Sequence, residues 1–296
     1  MVKAKKSAGD IVLDIVVYFF VVLIIAVTLY PIIYAFSMAI SSPTEAARGH
    51  VYFLPKGFSL LAIRKVLSDP SVLRYYGNTL WYTFVGTVLG IITSCLGAYP
   101  LSRPEFKQRS LFTKIILFTM FFSGGMIPTY IVVTKYLGLY NSRWAIILPQ
   151  LTTAWYILVA KSFFEELPAD IGESARIDGA SEYRIFAQFY VPLSKPVLAV
   201  LALYYAVSHW NGYFQAMLYL GRKELQPLAM YVRSVVIQSS MSAVGESAVD
   251  IDADMLLSTL QVKYAVIVVS VVPMLLIYPF LAKNLEKGLL IGAVKG

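Results

Sequence analysis

Residues 15–44 read IVVYFFVVLIIAVTLYPIIYAFSMAISSPT, a run of 30 residues without Asp, Glu, Lys or Arg. A membrane-spanning helix needs about 20 predominantly apolar residues, because the hydrocarbon core of a bilayer is about 30 Å thick. Backbone polar groups in lipid must be satisfied within the segment, which favours a helix. Since the run is too long for the apolar core of a signal peptide, it predicts a retained transmembrane helix.

Five further uncharged runs follow, at residues 75–102, 115–134, 144–160, 196–221 and 264–282. The chain has 296 residues, of which 58% are hydrophobic and 14% are charged. Soluble globular domains are about 45–50% apolar and about 25% charged. This composition excludes an ordinary soluble enzyme. It predicts an all-α integral membrane protein with six transmembrane helices, at about residues 15–40, 78–101, 115–135, 144–164, 196–220 and 264–282.

The formal net charge of +8 could indicate a nucleic-acid partner, but membrane topology is the better explanation for it. Basic residues crowd the N-terminus, the link at residues 103–114 and the C-terminal tail. Six spans place both termini on one side, and the positive-inside rule assigns that side to the cytoplasm. We therefore expect a multi-pass membrane protein that binds no nucleic acid.

This topology divides the chain into a short N-terminal segment and one membrane domain. Residues 1–14 are expected in the cytoplasm, and residues 15–296 form the transmembrane domain. Within that domain we expect a cytoplasmic loop at about 165–192, an outer segment at about 221–262 and a cytoplasmic tail at 283–296.

Glycines mark two of the predicted spans. The second span contains three of them, which would let another helix backbone approach closely in lipid: Gly86, Gly90 and Gly97. The third span contains Gly124, Gly125 and Pro128, a break that membranes tolerate where it packs on protein or lines a cavity. This break is either a hinge in a transport pathway or a kink in a structural helix.

Ionisable residues are missing from the cores of the six predicted spans, apart from His209. Ion-coupled carriers keep such residues despite their cost in lipid. His209 lies beside Trp210 near the end of the fifth span, a setting more typical of an interfacial residue than of a proton relay. The chain also lacks a zinc-protease motif and a phosphate-binding loop. We therefore expect no enzymatic activity and no cofactor in this chain, and an energy source outside it.

The segment at residues 167–186, LPADIGESARIDGASEYRIF, is here called the elbow. Pro168 suits the first turn of a helix, and Asp170 and Glu173 complement its positive end. Gly179 can end that helix in a left-handed conformation, and Ser181 can cap a second helix. The pattern predicts two short helices joined by a tight turn. It is either a solvated link or a rigid lever whose apolar side chains need a partner surface: Ile171, Ala175 and Ile177.

The elbow resembles a known family motif. Glu173-Ser174-Ala175, then three residues, Gly179 and later Val191-Pro192 resemble the EAA loop of ABC-importer permeases. The runs ARIDGAS at 175–181 and PLSKP at 192–196 are similar to the carbohydrate-uptake branch, in particular to LplC-like permeases. The segments 121–128, 209–213 and 288–296 agree with this branch. Ser174 stands where the family has Ala, and Val191 stands where it usually has Leu.

This resemblance implies half of a MetI-like, type I importer in a bacterial cell membrane. In that family the loop seats in a cleft of a cytoplasmic ATPase, which binds ATP and magnesium. The implied partners are a second homologous permease subunit in a heterodimer, two copies of the ATPase, an extracytoplasmic solute-binding protein and membrane lipid. The positions that match the coupling surface are Glu173, Ser174, Ala175, Asp178, Gly179 and Ala180. Val294, Lys295 and Gly296 match a tail that reaches into the ATPase interface.

Substrate-path residues are predicted in the third and fifth spans: Gly124, Gly125, Pro128, His209, Trp210, Asn211 and Tyr213. Aromatic faces and fixed polar groups commonly hold sugars, but Trp and Tyr are also ordinary residues at membrane interfaces. In the maltose-type relatives, moreover, the companion permease holds most of the sugar.

We therefore predict a carbohydrate importer subunit, most readily for an oligosaccharide, that works by alternating access. A permease for a non-sugar solute and a membrane sensor or scaffold remain the alternatives.

Overall fold

The computed structural model describes residues 8–245 and 261–279, and within these ranges every regular element is a helix. The α-helices run in chain order as α1 Ala8–Ala39, α2 Pro43–Ala47, α3 Leu61–Leu67, α4 Pro70–Ser102, α5 Arg109–Phe121, α6 Met126–Ile131, α7 Trp144–Ile147, α8 Ala154–Glu166, α9 Ala169–Ile177, α10 Glu182–Ile185, α11 Val191–Leu193, α12 Lys195–Trp210, α13 Tyr213–Tyr219, α14 Leu228–Gly245 and α15 Gln261–Pro279. Short π-helical turns follow α6 and α10, and 3₁₀ turns follow α7 and precede α14.

Three of these helices are long and apolar enough to cross a membrane unbroken: Gly9–Ala39 of α1, α4 and α15. Three further candidate spans are bent pairs. The pair Arg109–Phe121 and Met126–Tyr136 bends by 108°, Trp144–Gln150 and Ala154–Glu166 by 49°, and Glu182–Leu193 and Lys195–Trp210 by 81°. If each pair is one span, the described residues contain six, which is the predicted number.

The bend of 108° lies at the predicted Gly-Gly-x-x-Pro break. α5 ends at Phe121, Gly125 adopts a φ of +84°, and α6 begins at Met126. A φ in this range is accessible to glycine and strained for other residues. The structure therefore has a broken helix here and not a continuous kinked one.

The described residues form two compact units, and the smaller one comprises 8–69, 234–245 and 261–271. Its core joins the end of α1 to α15. The amide of Gln261 donates to the carbonyl oxygens of Met38 and Ser41, at 3.3 and 2.6 Å, and the rings of Tyr34 and Tyr264 meet edge to face at 5.4 Å. Most of α1 before this point is apolar and exposed, as expected for a helix that faces lipid or another protein.

The larger unit, residues 70–233 and 272–279, is organised around α4. α4 packs against α12 and α8, and its buried face has small residues four positions apart: Gly86, Gly90, Ser94 and Ala98. Aromatic rings of α12 fill the resulting groove. Tyr205 lies against Gly90 and His209 against Gly86, so close that a Cβ atom at either glycine would collide with a ring.

Gly97 differs from the other two predicted packing glycines. It lies outside this row of four, is only half-buried, and a Cβ atom there would make an ordinary contact of 3.6 Å with Ile157. The expectation of close packing therefore holds for Gly86 and Gly90 and is wrong for Gly97. The reason is the neighbour at each position, because Gly86 and Gly90 meet aromatic rings of α12, whereas Gly97 faces the aliphatic side chain of Ile157 in α8.

At the break between α7 and α8, side chains of the neighbouring helices donate hydrogen bonds to a backbone carbonyl group. The carbonyl oxygen of Leu151 accepts hydrogen bonds from the hydroxyls of Thr93 at 2.6 Å and Tyr205 at 3.1 Å. The Tyr205 hydroxyl also lies 2.7 Å from that of Ser94. Irregular backbone at membrane depth needs such partners, since lipid offers none.

We predict that Gly90→Ala destabilises the larger unit. The new Cβ atom would lie 2.6 Å from the Tyr205 ring, so the ring or the helix must move. Overpacking of this kind costs about 1–3 kcal/mol. Thermal unfolding in detergent should show a lower melting temperature for this variant than for the wild type. Gly97→Ala is the matched control and should melt like the wild type, whereas equal melting of both variants would contradict the close-packing argument.

Candidate functional site

The elbow consists of α9, a tight turn and α10. α9 ends at Ile177, and Gly179 follows with a φ of +78°, so it ends the helix in the predicted left-handed conformation. The amides of Gly179 and Ala180 donate back to the carbonyl oxygens of Arg176 and Ala175, each at 2.9 Å. These bonds satisfy carbonyl groups that a helix end leaves open.

Of the two elbow helices, α10 begins at a side-chain cap and α9 does not. The Ser181 hydroxyl accepts a hydrogen bond from the amide of Arg184 at 3.4 Å, which confirms the predicted cap of α10. Asp170 lies in the first turn of α9, as predicted. Pro168 lies one residue before α9 and not within its first turn, with an extended ψ of 129°.

The outer face of the elbow is exposed. Five of its residues form this face: Glu173, Ser174, Ile177, Asp178 and Gly179. The Ile177 side chain is 87% exposed, which is unusual for a large aliphatic residue on an ordered helix. Ile177 is the one large apolar side chain among the five residues of this face.

The predicted apolar face of the elbow is only partly correct. Ile171 is half-buried and Ala175 is buried, but Ile177 points the other way. Positions 171 and 175 are four residues apart and share a helix face, whereas position 177 is turned about 200° from 175. Of the residues that match the family coupling surface, Ala175 and the half-buried Ala180 pack into the core of the larger unit, and the other four are exposed.

The inner side of the elbow rests on buried aromatic rings. Tyr190 and Ile185 are almost fully buried, and the Tyr190 ring meets those of Tyr99 and Phe164 at 5.0 and 5.9 Å. Phe186 contacts Tyr99 at 5.1 Å. Edge-to-face rings at such distances add about 0.5–1.5 kcal/mol per pair beyond burial. The exposed face therefore stands on a well-packed base.

Ion pairs connect the two helices of the elbow to the chain that follows α4. Arg176 donates to Glu182 across the turn at 2.7 Å and also pairs with Glu105. The hydrogen bond from Arg176 holds the pKa of the Glu105 carboxyl below its usual range. Tyr99 donates to the second oxygen of Glu182 at 2.8 Å. Between α4 and the elbow these residues line a groove of about 510 Å³.

Sequence reasoning missed this ion-pair network. The Arg176–Glu182 pair has a local signal, since the two residues flank the turn. Glu105 has none, because it lies 71 residues from Arg176 and is brought there only by the return of the chain through α8.

The predicted substrate-path residues fall into an exposed and a buried group. Gly124 and Gly125 are exposed at the break before α6, and Pro128 is exposed in the first turn of α6. His209 is 3% and Trp210 6% exposed. Asn211 and Tyr213 are exposed, between α12 and α13 and at the start of α13. Their role in a substrate path stays a prediction.

His209 and Trp210 both pack on aromatic rings inside the unit. The His209 ring stacks on Tyr205 at 6.4 Å, and Trp210 meets Tyr76 edge to face at 6.0 Å. Neither ring nitrogen of His209 has a hydrogen-bond partner among the described residues.

Two further predictions concern metals and the tail. Within residues 8–245 and 261–279 no three His, Cys, Asp or Glu side chains are grouped to hold a metal ion. Val294, Lys295 and Gly296, the predicted ATPase-interface tail, lie outside the described residues.

Residues 2–291 of the chain match the family model described as binding-protein-dependent transport system inner membrane component. Protein LplC of Bacillus subtilis (strain 168) is 41% identical, over 92% of this chain and 90% of its own length. The polygalacturonan/rhamnogalacturonan transport system permease protein YtcP of the same organism is 36% identical, over 96% and 98%.

A solved structure has the same fold. It is the crystal structure of a bacterial ABC transporter involved in the import of the acidic polysaccharide alginate. One of its chains matches with a TM-score of 0.83 and 35% sequence identity, over 95% of this chain and 99% of that chain. The predicted all-α, MetI-like permease fold is thereby confirmed.

We predict that Gly179→Ala loosens the elbow. A non-glycine residue in the left-handed region costs about 1–2 kcal/mol, and one or two kcal/mol changes an equilibrium by about 5- to 30-fold. Limited trypsin digestion should cut after Arg176 and Arg184 about fivefold faster or more than in the wild type. Gly77→Ala, at an unstrained helical glycine with free space around it, is the control and should digest like the wild type. Unchanged cleavage in Gly179→Ala would show that the turn does not depend on glycine.

Proposed function

We propose a specific role for this chain, which belongs to the family of binding-protein-dependent transport system inner membrane components. In this role it moves a carbohydrate into the cell by alternating access, and a separate ATPase drives the movement through the elbow. As a member of that family it is a membrane-embedded permease subunit of an ABC importer, a transport component and not an enzyme. The observation that carries the mechanical part is the exposed, firmly based outer face of the elbow.

The exposed face has the composition of a docking surface. Ile177 offers an apolar side chain, and Glu173 and Asp178 offer negative charge beside it. Burying a side chain such as Ile177 in a partner contributes about 1.5–3 kcal/mol. The acids favour a cleft with basic residues, and Gly179 lets a partner approach the backbone closely.

A push on this face reaches two membrane helices directly. α8 ends at Glu166, three residues before α9, and α10 continues through a π-helical turn and α11 to the bend that precedes α12. Because α9 and α10 are held together by Arg176 and Glu182, the elbow would move as a unit. Displacement of α8 and α12 against α4 is the motion we propose for alternating access.

The remaining partners follow from the family and from unpartnered surface. We propose a heterodimer with a second homologous permease, two copies of a cytoplasmic ATPase that binds ATP and magnesium, and an extracytoplasmic solute-binding protein. The family description supports the last of these. Against the part of the chain that the structure describes, α5 buries none of its 13 residues, which supports a place against lipid or the second permease. The membrane is that of a bacterial cell.

The substrate class is proposed from the relatives. YtcP is named for polygalacturonan and rhamnogalacturonan transport, and the structurally similar transporter imports alginate. Both are acidic carbohydrates, so acidic oligosaccharides are the first candidates for this importer. A neutral oligosaccharide is the second, since a relative 27% identical is named for arabinooligosaccharide transport.

We predict that Asp178→Arg uncouples ATP hydrolysis from uptake. The residue is exposed, so the substitution should leave folding intact while it reverses a charge at the docking surface. Uptake by the reconstituted complex should fall about tenfold, which corresponds to about 1.4 kcal/mol. Glu166→Arg is the matched control, an exposed acid reversed outside this surface, and it should transport normally. Wild-type uptake in Asp178→Arg would sink the coupling assignment.

A glycan screen of the associated binding protein tests the substrate class. We expect tightest binding for a short uronic-acid oligosaccharide and stimulation of ATP hydrolysis by the loaded binding protein in vesicles. Binding of a non-sugar solute alone would replace the carbohydrate proposal with a different importer. ATP hydrolysis that no solute stimulates would favour a sensor or scaffold.

A further inference from the structure

Arg103 is a buried charge at the end of α4. By its place in the sequence it belongs to the basic link after the second span, where a solvated side chain would satisfy the positive-inside rule. In the structure the residue is only 7% exposed. Burying a guanidinium group is costly unless it is paired and hydrogen-bonded, so its surroundings should explain its place.

Those surroundings come from the elbow and from the helices next to it. The guanidinium lies over the rings of Tyr190 and Tyr99, 5.2 and 5.8 Å from their centres, and it donates a hydrogen bond to the Tyr190 hydroxyl. Its Nη2 atom is 3.5 Å from a carboxylate oxygen of Glu105. The Nε atom has no hydrogen-bond partner among the described residues, so the polar contacts of the group are made by its two Nη atoms, and cation–π contact adds to them.

Gly172 provides the space for this guanidinium on the elbow side. A Cβ atom at position 172 would lie 2.7 Å from Nη2 and 3.0 Å from Nη1 of Arg103. Gly172 is in the middle of α9 and has no left-handed φ, so its backbone conformation does not require glycine. Glycine inside a helix is unfavourable, and close approach of the Arg103 side chain is the reason the structure offers for it here.

The contact continues into the ion pairs of the elbow. Glu105 lies between Arg103 and Arg176, and Arg176 in turn pairs with Glu182. Positive and negative groups therefore alternate from the end of α4 through both elbow helices. α8 and α12 join the elbow through the chain, whereas α4 contacts it only through side chains.

We propose that Arg103 is a positioning residue that locks the elbow onto α4, with Gly172 as the seat for its guanidinium. The elbow then moves α4 together with α8 and α12, and Arg103 determines the position from which α9 meets its partner. The transport consequence rests on the proposed function, whereas the positional part does not.

Spin-label distances test the positional part without any transport assay. The native cysteine of the full-length chain is removed by Cys95→Ser. Spin labels are then attached at Asp170→Cys on α9 and at Ile92→Cys on the exposed side of α4. The labelled chain is purified together with the subunits that accompany it. With Arg103 and Gly172 unchanged, we expect one narrow distribution of the distance between the two labels. Arg103→Ala and Gly172→Ala should each give a broader distribution with a shifted centre. Gly97→Ala, another helical glycine with room for a methyl group, should stay narrow. An unchanged distribution in Arg103→Ala would overturn the proposal.

The double variant Arg103→Ala, Gly172→Ala tests whether the methyl group at position 172 acts by displacing the guanidinium or by damaging the helix in general. Alanine favours a helix more than glycine does, so a defect of Gly172→Ala cannot come from helix propensity. If the new methyl group acts by displacing the guanidinium, Gly172→Ala should add nothing once Arg103 is already Ala. A further broadening in the double variant would mean that the two residues act independently, which contradicts the proposal.

Transport measurements then test the mechanical consequence. In reconstituted vesicles, Arg103→Ala and Gly172→Ala should lower the number of solute molecules imported per ATP hydrolysed by about fivefold or more, the lower end of the usual range for coupled sites. Both variants should still assemble with the ATPase, as measured by co-purification. If the wild type imports no solute, the proposed function fails and the distances still decide the seat. If the distances shift but import per ATP is unchanged, Arg103 positions the elbow without transmitting force, and the coupling part is wrong.

Discussion

Close packing along one face of α4 is the contact on which the larger unit depends. Lipid supplies no hydrophobic force between helices, so they associate where backbones can approach and side chains interlock. Gly86 and Gly90 provide that approach, and the rings of His209 and Tyr205 fill the groove. The same Tyr205 hydroxyl also satisfies the broken backbone at Leu151, so one aromatic side chain joins three membrane segments.

The elbow is built on the end of this same helix. Its exposed face consists of charged and apolar residues, and its inner face rests on Tyr99, Tyr190 and the guanidinium of Arg103. A docking surface must hold its shape when a partner pushes on it, and buried rings and paired charges provide that stiffness. The elbow is thus exposed on one side and packed against the end of α4 on the other, and this arrangement is the basis of the coupling role that we propose.

Local chemistry was predictable where a residue acts on its own neighbours. Gly179 ends α9 and Ser181 caps α10, because a left-handed turn and a helix cap depend on the residue itself and on groups within four positions. The helix break at Gly124-Gly125 was predictable for the same reason. The apolar face of the elbow was predicted only in part: Ile171 and Ala175 share a helix face, whereas Ile177 is turned about 200° from Ala175 and is exposed.

Hydropathy along the chain determined the class of this protein, since runs of uncharged residues longer than a bilayer is thick have no stable alternative to membrane helices. Motif spacing determined where the elbow lies and what its turn looks like. Only the tertiary structure decided which groups Arg103, Glu105 and Gly172 contact. Their contacts join residues about 70 positions apart, and such distances close only when α8 returns the chain to the end of α4. A basic residue in a loop is ordinarily solvated. The burial of Arg103 depends on the rings of Tyr99 and Tyr190 and on the lack of a side chain at Gly172, all from other parts of the fold.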